Sequence, residues 1–96
     1  MDPLPAADLD VFLVAHAGWR LERGRLCREY AFAGFQEAFG FMAACALAAE
    51  QADHHPRWTN VWNRVEVELW THTADAVTRR DVDLATRMDA LAASFA

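Results

Sequence analysis

Residues 53–56 read Asp-His-His-Pro. Two of the chain's four histidines stand side by side here, with an acid before them and a helix-breaking proline after. Glu50 lies four positions before His54, so the two share a face if the helix runs that far. A third imidazole, His72, comes where a clean apolar–polar alternation ends. Three histidines and several carboxylates thus collect at element ends, where sites are commonly built on rigid scaffolds. Three explanations compete. The histidines can cap a helix C-terminus, whose partial negative charge favours an imidazolium; for either one alone this is the leading explanation. They can bind a metal with Glu50. However, helix neighbours point about 100° apart, and the useful helical chelate spacing is i to i+4, so metal ranks below proton chemistry. They can act as general acid and base, since an imidazole exchanges protons near neutral pH without a cofactor. The sequence offers no G-x-S-x-G nucleophile, no Gly-rich phosphate loop and no cysteine beside a histidine, which leaves cofactor-free proton transfer as the enzymatic option.

The elements that must position these groups are readable from periodicity. Leu9, Phe12, Leu13 and His16 recur at helical spacing, predicting a first helix from about Ala6 to Ala17, ended by Gly18. Trp19–Glu22, a turn at Arg23-Gly24-Arg25 and Leu26–Phe32 form a hairpin pattern, which Arg28 interrupts. From Phe35 the period becomes helical again through Ala38, Phe39, Met42, Ala46 and Ala49. Phe41, Cys45 and Leu47 widen this stripe to most of the circumference, so the helix should be covered on more than one side, by the sheet and by another helix or another subunit. It should stop near His54 because Pro56 disfavours helical geometry in its predecessor. Trp58–Trp62, a turn at Asn63-Arg64 and the alternating Val65–Thr71 give a second hairpin, and Thr78–Asp81 opens a last helix with an apolar stripe from Val82 to Phe95. The expectation is an α+β fold of order α-β-β-α-β-β-α: a four-stranded antiparallel sheet with three helices on one face, forming a single domain over residues 1–96.

Composition narrows the partners. The chain has 96 residues, 54% of them hydrophobic, with four Trp and six Phe, which excludes a disordered chain. A domain this small leaves much apolar surface exposed, so a homo-oligomer, dimer or tetramer, is expected. The net charge is −5, and the nine basic residues, all Arg, are scattered apart from the Arg79-Arg80 pair. Nucleic-acid binding by electrostatics is therefore disfavoured. Cys27 and Cys45 lack metal-type spacing, and Cys45 sits in an Ala-rich helix where a free thiol behaves as a small hydrophobe. The start Met1-Asp2-Pro3 does not suggest a secretory signal, and the apolar run Phe39–Ala49 is too short to span a bilayer, so no membrane role and a cytoplasmic location are expected.

Several spaced elements, in order, resemble a known family: Glu50, then His54-His55-Pro56, Trp62, His72 and Asp81, with Ala38-Phe39-Gly40-Phe41-Met42 upstream and Arg80-Asp81-Val82-Asp83-Leu84-Ala85 downstream. The pattern is similar to that of the pterin-4a-carbinolamine dehydratases, from about Leu9 to Leu91. The resemblance implies the fold derived above. It also implies a cofactor-free reaction without metal, in which a 4a-hydroxytetrahydropterin, the product of an aromatic amino acid hydroxylase, loses water to give the quinonoid dihydropterin. By this resemblance His54 and His72 are the acid–base pair and His55 positions the pterin. Asp53 and backbone groups around Trp70, Thr71 and Thr73 contact the pterin edge. Glu50 and Asp81 orient and tune the histidines, and Trp62 walls the pocket or simply packs in its strand. Two departures stand out: Gly34 where the family often has Asp or Asn before the long helix, and Trp70 and Thr73 where smaller or acidic residues are frequent. Some members of the family also act as dimerisation cofactors of a homeodomain transcription factor. That coactivator role, and binding of some other pterin, are the alternatives to the dehydratase.

Overall fold

The two periodicities of the sequence give α1 (Ala6–Ala15), β1 (Arg20–Glu22), β2 (Arg25–Ala31), α2 (Phe35–Ala52), β3 (Arg57–Val61), β4 (Arg64–Leu69) and α3 (Arg79–Ala92), closed by a 3-10 turn at Ala93–Phe95. These elements come from a computed structural model that describes residues 1–96. The strands form one antiparallel sheet in the order β1-β2-β4-β3, so each hairpin stays intact and the two join through β2 and β4. The three helices lie on one face, as the sequence predicted.

Alternation divides the sheet. Leu26, Tyr30, Val65, Val67 and Leu69 face the helices and are buried against Phe41, Cys45, Leu84, Ala85 and Met88. The opposite face carries a cross-strand row of Arg20, Cys27, Glu68 and Arg57. Both cysteines are free thiols. Arg23 (φ 51°) and Gly24 (φ 75°) form the two-residue loop of the first hairpin, the left-handed pair that suits the strand twist.

Element boundaries moved where side chains found better partners. Helix α1 stops at Ala15, not Ala17, because His16 leaves helical geometry and its Nδ1 pairs with Asp89 at 2.9 Å. Arg28, which broke the predicted alternation of β2, turns inward and donates from Nη1 to the same carboxylate at 2.9 Å. Trp19 Nε1–H at 3.0 Å and the Tyr30 hydroxyl complete the set of donors. Asp89 therefore ties α1 and the first hairpin to α3. Gly18 permits this, since a Cβ there would stand 2.4 Å from the Arg28 guanidinium carbon. The second turn falls at Trp62-Asn63 rather than Asn63-Arg64. Strand β4 ends at Leu69, with Thr71 held by an isolated bridge to Ala76.

Burial has a pH consequence. It pushes the Cys45 thiol up to about 12. Burial, reinforced by the Asp89 carboxylate, raises the Tyr30 phenol, and burial with nearby Glu68 raises Cys27. All three are acids that the fold keeps neutral. Their contribution is intact below the unfolded values, about 8.5 for Cys and 10 for Tyr, and is lost as pH rises beyond them. Urea unfolding from pH 7 to 11 should show stability falling above about pH 8.5. Cys45→Ala should lower stability at pH 7 by about 1 kcal/mol yet flatten that decline.

Candidate active site

The long helix α2 must end before the histidines can point anywhere useful. Asp53 ends it in the left-handed conformation (φ 48°, ψ 45°), with its N–H on the Ala49 and Glu50 carbonyls. The His54 N–H reaches back to the Ala49 carbonyl at 3.0 Å, a Schellman-like closure. Arg80, at the start of α3, donates from Nη2 to the carbonyls of Ala52 (3.0 Å) and Asp53 (2.5 Å). A guanidinium is well suited there, because helix C-terminal carbonyls carry partial negative charge. The chain then extends, and adjacent residues of an extended segment face opposite ways. The two histidines consequently differ: His54 is buried and His55 is exposed.

His54 points at Asp81. Its Nε2 lies 2.5 Å from Asp81 Oδ1, and Asp81 has no solvent exposure. The second carboxylate oxygen accepts from the Thr71 hydroxyl at 2.9 Å and the Thr78 backbone N–H at 2.8 Å. Proton counting fixes the rest. The Thr71 hydroxyl spends its one proton on Asp81, so in the 2.7 Å contact between the threonines Thr78 donates and Thr71 accepts. The Thr78 oxygen in turn accepts the Arg80 N–H at 3.3 Å. Thr78 and Asp81 form the capping box of α3, so the carboxylate sits at a helix N-terminus, where negative charge is favoured. An ionised Asp81 is acceptor-only, so His54 donates from Nε2–H and its Nδ1, which has no protein partner, is the nitrogen free to exchange a proton.

The other predicted groups surround this hub unequally. His55 Nε2 meets Glu50 Oε1 at 2.9 Å, with both side chains largely exposed, a geometry that contributes little to stability. The exposed His72 follows Thr71 directly, and its ring stacks on Trp70 with centroids 4.5 Å apart and planes 9° apart. Thr73 is exposed in the turn beyond, and Asp53 contributes its backbone. Trp62 is not brought to this group. It occupies the β3–β4 turn with φ 48° and 65% exposure, neither walling this end of the sheet nor packing within a strand. The five residues of β3 lie between it and Pro56, a separation of roughly 20 Å at strand rise. No three His, Cys, Asp or Glu side chains are arranged to hold a metal ion. Sequence reading missed Arg80 and Thr78. For Thr78 a signal existed, because Thr-x-x-Asp before an apolar run is a capping signature.

Residues 2–91 match the family described as Pterin 4 alpha carbinolamine dehydratase. The chain belongs to this family. A relative from Rhodopseudomonas palustris (strain HaA2), provisionally named as a pterin-4-alpha-carbinolamine dehydratase, is 57% identical over 81 residues, covering 82% of this chain and 80% of its own. A relative with the same provisional name from Solibacter usitatus is 46% identical and covers 94% of this chain and 95% of its own. The crystal structure of a transcriptional coactivator/pterin dehydratase from Brucella melitensis superposes with a TM-score of 0.90 at 42% identity, covering 94% of this chain and 98% of that one. A pterin dehydratase-like protein identified as a RuBisCO assembly factor in the alpha-carboxysome shares the fold, with a TM-score of 0.66 at 24% identity over 77% of this chain and 86% of that one. Within the pterin-4a-carbinolamine dehydratase fold, then, this chain ties His54 into a buried carboxylate network and stacks the exposed His72 on Trp70.

The hub and the surface pair should differ sharply when cut. Asp81→Ala strands the His54, Thr71 and Thr78 donors and should cost about 3 kcal/mol or more in urea unfolding, whereas His55→Ala should stay within about 0.5 kcal/mol of wild type.

Proposed function

We propose that the protein is a 4a-hydroxytetrahydropterin dehydratase that works by histidine acid–base catalysis, without metal or organic cofactor. The observation that carries this reading is the His54–Asp81 contact: a buried imidazole anchored through Nε2, with Nδ1 unengaged. In the reaction the N5–H proton passes to a base, a C4a=N5 double bond forms, and the 4a-hydroxyl leaves as water after receiving a proton from an acid. Proton uptake and release balance, so two imidazoles near neutral pH suffice. His54 and His72 are the pair in this reading, and His55 with Glu50 holds the pterin. Asp81 is the carboxylate that orients His54. Asp53 and the backbone groups around Trp70, Thr71 and Thr73 border the pterin edge. The substrate would come from an aromatic amino acid hydroxylase, in pterin recycling in the cytoplasm. No helix is long and apolar enough to cross a membrane.

Self-association belongs to the same proposal. Phe35, Phe39 and Leu47 recur along one face of α2 and are 51%, 57% and 70% exposed in the single chain. A contiguous apolar stripe of this kind marks an interaction surface. A second reading, partner binding in transcriptional coactivation, draws on the same stripe and on the description of the Brucella melitensis protein.

Two experiments test these readings. Breakdown of enzymatically generated 4a-hydroxytetrahydropterin, followed by absorbance, should be accelerated by wild type and slowed by His54→Ala or His72→Ala by about 10²- to 10⁴-fold. Acceleration unchanged in both variants would reject the pair, and a folded wild type without activity would favour partner binding. In sedimentation at micromolar concentration wild type should be oligomeric and Phe39→Glu monomeric. A monomeric wild type would refute self-association.

A further inference from the structure

The three-residue segment Trp70-Thr71-His72 faces two ways. Extended residues alternate, so Thr71 turns inward to Asp81 while Trp70 and His72 share the other side. On that side the Trp70 indole meets two groups. The His72 ring lies on Trp70, 4.5 Å between centroids and 9° between planes, and the Arg25 guanidinium carbon lies 3.9 Å from the Trp70 ring centroid. Both spacings are those of attractive aromatic and cation–π contacts. Arg25 is anchored in turn: it begins β2, one residue before the Leu26–Leu69 pair, and its Nη1 stands 3.6 Å from the Glu68 carboxylate.

An exposed histidine rotates freely about both side-chain bonds unless something holds its plane. His72 has no side-chain hydrogen-bond partner, so the indole is what holds it, and the indole in turn is held by Arg25. We propose that Trp70 and Arg25 are positioning residues for His72, fixing its ring relative to the His54–Asp81–Thr71 network for proton transfer. This rests on the dehydratase reading above. It gives the Trp70 ring a role beyond the backbone contact to the pterin edge, and it brings in Arg25, which has no part in the acid–base pair.

The test combines a spectrum with a kinetic cycle. Stacking should shift the His72 ring-proton resonances upfield through the indole ring current. Trp70→Leu should return them to ordinary values, while Trp70→Phe, which keeps a flat ring, should retain part of the shift. In pterin turnover Trp70→Leu should lower kcat about tenfold with KM changed less than twofold, Trp70→Phe should recover most of the loss, and Arg25→Leu should lose about threefold. In the His72→Ala background Trp70→Leu should have no further effect. Ordinary His72 shifts in wild type would overturn the stack. An equal loss in both backgrounds, or a rise in KM with kcat unchanged, would overturn the positioning role. Absence of turnover by wild type would instead overturn the dehydratase reading. Because it is measured before any variant and independently of the spectrum, the two failures are distinguishable.

Discussion

A carboxylate with no exposure is tolerable only if every lone pair that matters is satisfied, and Asp81 is the point at which this chain meets that constraint. A buried charge left unpaired is strongly destabilising. Asp81 instead accepts from an imidazole, a hydroxyl and a backbone N–H, at the N-terminus of α3. Those three donors come from three places: the end of α2, the segment after β4 and the cap of α3. One side chain therefore ties together the end of α2, the segment after β4 and the start of α3. Coupled networks of this kind rigidify a site as well as stabilise it.

The constraint explains the paired histidines. Helix α2 has to stop sharply for His54 to reach Asp81, and Asp53 in the left-handed conformation with Arg80 across the exposed carbonyls makes it stop. Once the chain is extended, the neighbour of an inward histidine must point outward. His55 is thus free to meet Glu50 on the surface. The dipeptide is two different groups, one anchored and one exposed, rather than a doubled one. The same alternation after β4 sends Thr71 in and Trp70 and His72 out.

Much of this was legible in the sequence because it is local. The switch from period 2 to period 3.6 at Phe35, the helix end that Pro56 signals and the alternation of Val65–Leu69 each depend on near neighbours, and the element order followed from them. What could not be read depends on register and reach. Arg28 looked like a flaw in β2 until its partner Asp89, distant in sequence, came alongside. Arg25 meets Trp70 only because β2 pairs with β4. Arg80 crosses back to α2 on a long side chain that no spacing rule anticipates. Helix α1 ended two residues early because the pull of Asp89 on His16 outweighed continuing the helix. Trp62 fits the spacing pattern yet lies at the far turn, because spacing along a chain does not say which end of a strand a residue occupies.

The central claim is that Asp81 holds His54 through Nε2–H and leaves Nδ1 to exchange protons. Long-range ¹H–¹⁵N correlation of the histidine rings at pH 8, with and without an oxidised pterin, tests it most directly. The account predicts that His54 is the Nε2–H tautomer in the free protein and that its Nδ1 resonance moves when the pterin is added. A His54 found as the Nδ1–H tautomer, or averaging between tautomers as a free imidazole does, would contradict it.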